Sequence, residues 1–316
     1  MIIKKAVNVM YNYLTSADQR FIINAKLGLY NRMDDEQYIC RLYRALVGKE
    51  LNLRNPQTFN EKQQWLKLYD RKPVYFNMVD KIEAKKYVAE RIGSEVIIPT
   101  LHVWNSVEAI NFEVLPDRFV LKCNHNSGTG MIICKNKREL RVKNVKRELA
   151  KGLKQNYYLT GREWPYSGVI PRIMCEAYIE NKDGSPLMEY KFQCANGKVI
   201  AIFVCVERFS ATGVKFYYFD TDWNYLAYMR NQKVDPKVLE KYKPVNLKKM
   251  VRIAEELSAG LPQLRVDLYE VDEKVYFGEM TFFTQSGFDM DITEEADLIM
   301  GRKIQLPLET WSGTNE

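Results

Sequence analysis

Arg265-Val-Asp267-Leu-Tyr-Glu-Val-Asp-Glu-Lys-Val-Tyr-Phe-Gly278-Glu279-Met-Thr281 is the stretch on which the reading of this chain turns. Two apolar, strand-like runs flank a polar turn. The first carries a guanidinium and a carboxylate, the second a carboxylate and a hydroxyl. Hard cations such as Mg²⁺ take a few carboxylate oxygens and leave their other octahedral positions to phosphates and water. A neighbouring arginine adds a planar fork suited to phosphate or carboxylate oxygens. Two acids flanking a hairpin also occur as solvated edge charges, so the pattern acquires meaning only beside a second element.

That element lies about 140 residues upstream, in Phe119-Val-Leu-Lys122-Cys-Asn-His125-Asn-Ser127-Gly128-Thr-Gly130-Met-Ile-Ile. An apolar strand delivers a lysine, a small-residue loop with two glycines follows, and the chain turns apolar again. Glycines let a backbone approach phosphate closely and aim its N–H groups inward. Lys122 supplies a compact positive charge over the same phosphates. Neither GxxxxGK[ST] nor GxGxxG occurs, and a strand–loop–strand order argues against P-loop and Rossmann designs.

The chain has 316 residues, 46% hydrophobic and 28% charged, enough to bury a sizeable core in two or three subdomains. Its net charge of +7 is spread along the chain and suits nucleotides or acidic glycans. Without a zinc-finger, RGG or arginine-rich tract, nucleic acid is not an expected partner. Six cysteines form no CxxC and only two histidines are present. Buried free thiols in a reducing cytoplasm are therefore expected, rather than a zinc site. The N-terminus is too short and interrupted to span a bilayer. Its basic lead (Lys4, Lys5, Arg20, Lys26 and Arg32 against Asp18) either docks on its own domain or rests peripherally on the inner membrane face.

Residues 1–75 read as mainly helical, with Thr58 and Glu61 spaced as a capping box and Trp65, Leu66 and Leu68 as a buried face. A segment over 76–117, with a helix to Ile92 and a strand from Val96 to Leu101, leads into mixed α/β texture. Residues 118–180 carry the strand–loop–strand unit, a basic helical stretch over 136–156 and a strand over 173–179. Residues 181–316 hold β-rich runs, an Asn196-Gly197 hairpin turn, a helix over 246–258 and the two strands with Asp267 and Glu279.

Together these residues resemble the ATP-grasp superfamily, and within it the teichuronopeptide-biosynthesis (TupA-like) ATP-grasp family of capsule and exopolysaccharide proteins. The resemblance covers roughly residues 35–308 and rests on Asn55-Pro-x-Thr-Phe-Asn-Glu-Lys-x-Gln-Trp-Leu-Lys-Leu, Asp80-Lys81, Leu115-Pro-x-x-Phe-Val-Leu-Lys122-x-Asn-His125, Tyr190-Lys-Phe and the Arg265–Phe282 stretch. It implies an α/β (α+β) ATP-grasp fold with ATP between two β-sheet lobes and a mainly helical N-terminal region. Residues 118–180 would form the small lobe and 181–316 the large one. Lys81 and Lys122 would reach the nucleotide, under a lid of Ser127, Gly128 and Gly130. The main chain of Glu176, Ala177, Tyr178 and Ile179 would read adenine, and Glu189 would hold the ribose. Asp267 and Glu279 would carry Mg²⁺, and Arg265 would stand beside the transferred phosphoryl group. His125, inside the loop, is a candidate substrate or phosphate contact. Two positions depart from the family pattern: Thr281 replaces the asparagine that is the usual third metal ligand, and Glu189 replaces an aspartate.

The activity so implied is carboxylate–amine ligation through an acylphosphate, with an amino acid as amine and a uronic-acid-bearing glycan or its precursor as acid. Alternatives are a sugar or glycan kinase, a non-catalytic nucleotide-binding partner of a polysaccharide assembly system, and a metal-dependent glycosyltransferase. The last would need a DxD; Asp289-Met-Asp291 and Asp220-Thr-Asp222 fit the pattern but read as loop acids.

Overall fold

Two antiparallel sheets carry the site, and helices pack around them. A computed structural model describes residues 10–206, 214–232 and 234–308. Residues 1–9, with Lys4 and Lys5 of the basic lead, lie outside that range. Helices α1 (Ala17–Lys26), α2 (Asp35–Val47), α3 (Phe59–Tyr69), α4 (Val74–Val79) and α5 (Glu83–Arg91) precede strands β1 (Thr100–Trp104), β2 (Phe119–Cys123) and β3 (Met131–Cys134). Helix α6 (Val142–Leu153) leads to β4 (Ile173–Ala177), β5 (Met188–Ala195), β6 (Lys198–Val206), β7 (Lys215–Phe219) and β8 (Tyr225–Leu226). Helix α7 (Leu247–Ser258), β9 (Gln263–Val271), β10 (Lys274–Thr281) and α8 (Glu294–Lys303) complete the chain.

The smaller sheet runs β1-β4-β2-β3, so it takes in β1 from the 76–117 segment. The larger runs β10-β9-β5-β6-β7-β8. One face of the larger sheet buries Phe192, Val204, Val266 and Leu268 in the main core, with Met250, Ile253 and Leu257 of α7. Beneath the smaller sheet, Phe119 and Leu121 meet Val145 and Leu149 of α6 in a second core. The basic residues of α6 then fall on its solvated side, as its amphipathic spacing requires. Among the described residues, no helix is long and apolar enough to cross a membrane.

Local chemistry explains most boundaries. Thr58 accepts from the Glu61 amide, and the Glu61 carboxylate takes the Thr58 amide at 3.0 Å, closing the expected capping box of α3. Asn196 and Gly197 both adopt positive φ and turn β5 into β6, as a two-residue hairpin demands. The strand expected at 96–101 is instead a 3-10 turn over Ser94–Val96 followed by β1 from Thr100. Pro99 stands between them without an N–H to give the ladder, and its carbonyl accepts from Ala177. Likewise the strand expected to reach residue 179 ends at Ala177, which pairs with Phe119, the first residue of β2.

Helix α3 has a second buried stripe besides Trp65 and Leu66. Asn60, Gln64 and Lys67 are all polar and at most 2% exposed. Their spacing of four and three puts them on one helical face, which packs on the loop after β10.

Candidate active site

Strand register assembles the large-lobe half of the site. Across β5, β9 and β10, Lys191 stands opposite Asp267 and Asp267 opposite Glu279. One step along, Gln193, Arg265 and Thr281 form a parallel row. Directly opposed residues share a sheet face, so all six line the face that α7 leaves open. Glu279 reaches this face through a β-bulge: Phe277 pairs with Leu268 and Glu279 with Asp267, leaving Gly278 extra. Were Gly278 paired in regular register instead of bulged, period-two alternation would aim Glu279 into the core beside Val266.

The charges are paired in detail. Arg265 grips Asp267 bidentately, Nε to Oδ1 at 2.7 Å and Nη2 to Oδ2 at 2.8 Å, and reaches Glu279 Oε1 at 3.1 Å. Lys191 bridges Asp267 and Glu189, the latter at 3.0 Å. Glu189 also accepts from the Tyr269 hydroxyl at 3.0 Å. Thr281 lies 3.5 Å from Glu279 Oε1. Burial works to raise the Glu279 carboxyl, but Lys81, Arg265, Lys191 and Lys122 outweigh it and hold the group at about 2. Burial also pushes the Asp267 carboxyl up, against the pull of Arg265 and Lys191.

From the 76–117 segment comes Lys81, whose ammonium donates to the Asn126 carbonyl at 2.8 Å and lies 3.5 Å from Glu279. Asp80 fixes that corner by accepting from Asn124 and Arg172, each at 2.9 Å. Lys122 pairs with Glu176 at 2.5 Å, and Lys85 takes the other oxygen of Glu176 at 2.6 Å. Burial would raise Glu176, yet the two lysines bring its carboxyl below the ordinary value. At the strand end beyond Glu176, Arg118 lies 4.5 Å over the Tyr178 ring, while Ala177 and Ile179 are half-buried.

In the loop, Ser127 and Gly128 are exposed and Gly130 is buried. A Cβ on Gly130 would come within 2.6 Å of Cys123 Sγ and 3.1 Å of Gly152 Cα, so only glycine lets the loop root against α6. His125 is 3% exposed, with its ring nitrogens 3.1 Å from the Gln155 carbonyl and 3.3 Å from Asn124 Oδ1. Burial lowers its pKa, which keeps the imidazole neutral at neutral pH.

A cleft of about 370 Å³ opens on this face, lined by Ser127, Lys191, Arg265, Glu279 and Thr281 and continuing past Tyr218 to Asp289. Its charged groups suit Mg²⁺ with a polyphosphate. Glu189, Asp267 and Glu279 are matched by Lys81, Lys191 and Arg265, so an incoming triphosphate needs further positive charge. Asp267 and Glu279, with the Thr281 hydroxyl, offer hard oxygen donors for it. Among the described residues, no group of three or more His, Cys, Asp or Glu is arranged to hold a metal ion.

Sequence reading named most of these side chains but passed over Lys191, although Tyr190-Lys-Phe was in view. Its strand position opposite an acid was the missing signal. Lys85 and the α3 stripe were also missed, because their partners are remote in sequence.

Two β lobes facing a cleft of paired carboxylates, lysines and an arginine make the layout of an ATP-grasp protein. The chain belongs to the TupA-like ATP-grasp family, whose model matches residues 61–305. No curated protein matches it. Similar solved structures include the D-alanine–D-alanine ligase of Helicobacter pylori (14% identity over 79% of this chain and 70% of that one, TM-score 0.40). The D-alanine–D-alanine ligase of Bacillus anthracis is 18% identical over 70% of this chain, which spans only 61% of the ligase (TM-score 0.37). ATP-grasp ligase PsnB with a minimal precursor is 11% identical over 90% of this chain and 74% of that one (TM-score 0.39).

Proposed function

We propose that the protein is an ATP-dependent, ADP-forming carboxylate–amine ligase. The observation that carries this reading is the cross-strand row Lys191–Asp267–Glu279, with Arg265 clamped beside it on the wall of the cleft. A carboxylate oxygen of the acid attacks the γ-phosphorus of ATP and ADP leaves. The amine nitrogen then attacks the acyl carbon and gives up a proton, and phosphate departs with the oxygen it acquired.

Positioning and charge stabilisation are the protein's share of such phosphoryl transfer. Lys122 and Lys81 would take the phosphates. Lys122 can exchange its ion pair with Glu176 for a phosphate oxygen. Arg265 is preorganised by Asp267, so its free edge meets charge developing on the transferred group without reorganisation. Asp267, Glu279 and Thr281 would hold Mg²⁺, which supplies charge neutralisation between the phosphate oxygens. In this reading Glu189 takes the ribose and the Glu176–Ile179 backbone takes adenine. Ser127, Gly128 and Gly130 form the lid that excludes water from the acylphosphate, and His125 anchors its base through Gln155.

Within this reading the acid is a uronic-acid-bearing glycan or precursor and the amine an amino acid. The work takes place in the cytoplasm, with peripheral contact to a polysaccharide assembly system at the membrane. The test is product analysis with Mg²⁺-ATP across uronic acids and amino acids. ADP and free phosphate should appear only when acid and amine are both present. Phosphate retained on one substrate would make the protein a kinase, and AMP would exclude the proposed chemistry.

A further inference from the structure

Besides the row with Lys191 and Arg265, the cleft is lined by three further carboxylates, Glu163, Asp289 and Asp291. Glu163 is 2% and Asp289 7% exposed. Asp289 Oδ1 accepts from the Asp291 amide at 3.1 Å, and Glu163 Oε1 from the Ser286 hydroxyl at 2.6 Å. Among the described residues, neither Asp289 nor Asp291 has a cationic partner. Tyr218 is 3% exposed and lines the same cleft, with no hydrogen-bond partner for its hydroxyl among the described residues. Its ring stacks on Phe203 at 5.0 Å and 28°, extending an aromatic wall along the cleft.

The α3 stripe supports the loop that carries Asp289. Asn60 Nδ2 donates to the Asp289 carbonyl at 3.0 Å, and Asn60 Oδ1 accepts from the Asp289 amide at 2.8 Å. Gln64 donates to the Gly287 carbonyl at 2.6 Å. Lys67 donates to the carbonyls of Ser286 and Gly161, both at 2.7 Å. These three side chains hold Gln285, Ser286 and Gly287 in consecutive left-handed conformations (φ 50°, 54° and 71°). A strained run of this kind persists only where its surroundings over-determine it. Here its effect is to turn Asp289 toward the cleft.

We propose that Asp289, Asp291 and Glu163 form the subsite for a cationic amine, receiving the ammonium group of the second substrate against the Phe203–Tyr218 wall. Asp289, buried and without a cationic partner among the described residues, is stabilised by an arriving cation, and aromatic faces favour the same charge. The assignment rests on the ligase reading for its role, whereas the cation site itself is open to test without turnover.

Calorimetric titration of the full chain, loaded with Mg²⁺ and a non-hydrolysable ATP analogue, provides that test. The probes are D-glucosamine and L-alanine methyl ester, with N-acetyl-D-glucosamine as the uncharged counterpart. Both ammonium probes should bind, the acetylated sugar should not, and Asp289→Asn and Asp291→Asn should each weaken binding by about tenfold or more. Asp291 is exposed, so its variant tests the site without disturbing the fold. No binding by either ammonium probe, equal binding of the acetylated sugar, or unchanged affinity in both variants would overturn the proposal. Hydroxylamine, neutral at neutral pH, traps an acylphosphate without an ammonium site. If the wild-type protein forms no hydroxamate with any acid yet binds glucosamine in an Asp289-dependent way, the ligase reading falls and the cation site stands.

Discussion

Glu279 faces Asp267 across the β9–β10 ladder because Gly278 is one residue too many for regular pairing. The two carboxylates, neighbours through that single bulge, share Arg265. The carboxylate half of the site is thus a property of register as much as of residue type.

Gly278→Ala places a Cβ 2.9 Å from the Tyr269 ring and 3.0 Å from the Asp267 carbonyl, at the unpaired position of the bulge. It should cost about 1–3 kcal/mol, read as a lower urea midpoint. A Gly278→Ala variant as stable as wild type would refute the close packing at the bulge.

Glu279→Gln should fold normally and lose at least ~10²-fold in turnover, the scale of a lost transition-state stabiliser. The folded carboxyl is held at about 2 against an ordinary 4.5. Its stabilising pairs are therefore complete above pH 4.5 and are lost as pH falls toward 2. Wild type should lose stability across that acid window, and Glu279→Gln should lose less.

Asp289 behaves in the opposite sense. Burial, reinforced by Asp291 and Asp297, pushes its carboxyl from 3.8 to about 6, against hydrogen bonds from the Asp291 and Ile292 backbone. Protonated Asp289 favours the folded state below pH 3.8, and that contribution disappears as pH rises through 6. At pH 8 the ionised group costs about 3 kcal/mol at the ordinary conversion of pKa to free energy. Without ligand, Asp289→Asn should stabilise the protein at pH 8 by about 1–3 kcal/mol, with the gain vanishing near pH 4. Thermal melts across this range would show it, and a gain independent of pH would contradict it.

Lys67 is fully buried, and burial brings its pKa down to about 7 although Glu163 and Asp35 pull it up. Lys67→Met leaves the Ser286 and Gly161 carbonyls without this donor. It should cost about 2–4 kcal/mol of stability and raise KM for the amine more than KM for ATP. Equal effects on the two constants would make Lys67 merely structural.

How far the sequence could be read follows from how local each cause is. The capping box at Thr58–Glu61 and the Asn196-Gly197 turn depend on neighbours in the chain, and both were legible. Lys122, Asp267 and Glu279 were legible as candidates because strand-borne charges stand out against apolar runs. The bulge at Gly278 leaves a trace, a shift of apolar positions from Val275 and Phe277 to Met280 and Phe282, but only the partner strand places it. Lys191 acquires a role only opposite Asp267, and Asn60, Gln64 and Lys67 only against a loop more than 200 residues later. Long-range pairing sets those assignments, and no window of sequence contains it.

The account stands or falls on an oxygen atom. With the acid substrate labelled by ¹⁸O in its carboxylate, ligation through an acylphosphate predicts that one labelled oxygen appears in the released phosphate and the other stays in the amide. Product phosphate free of label, from a reaction that still joins acid to amine, would contradict the acylphosphate route.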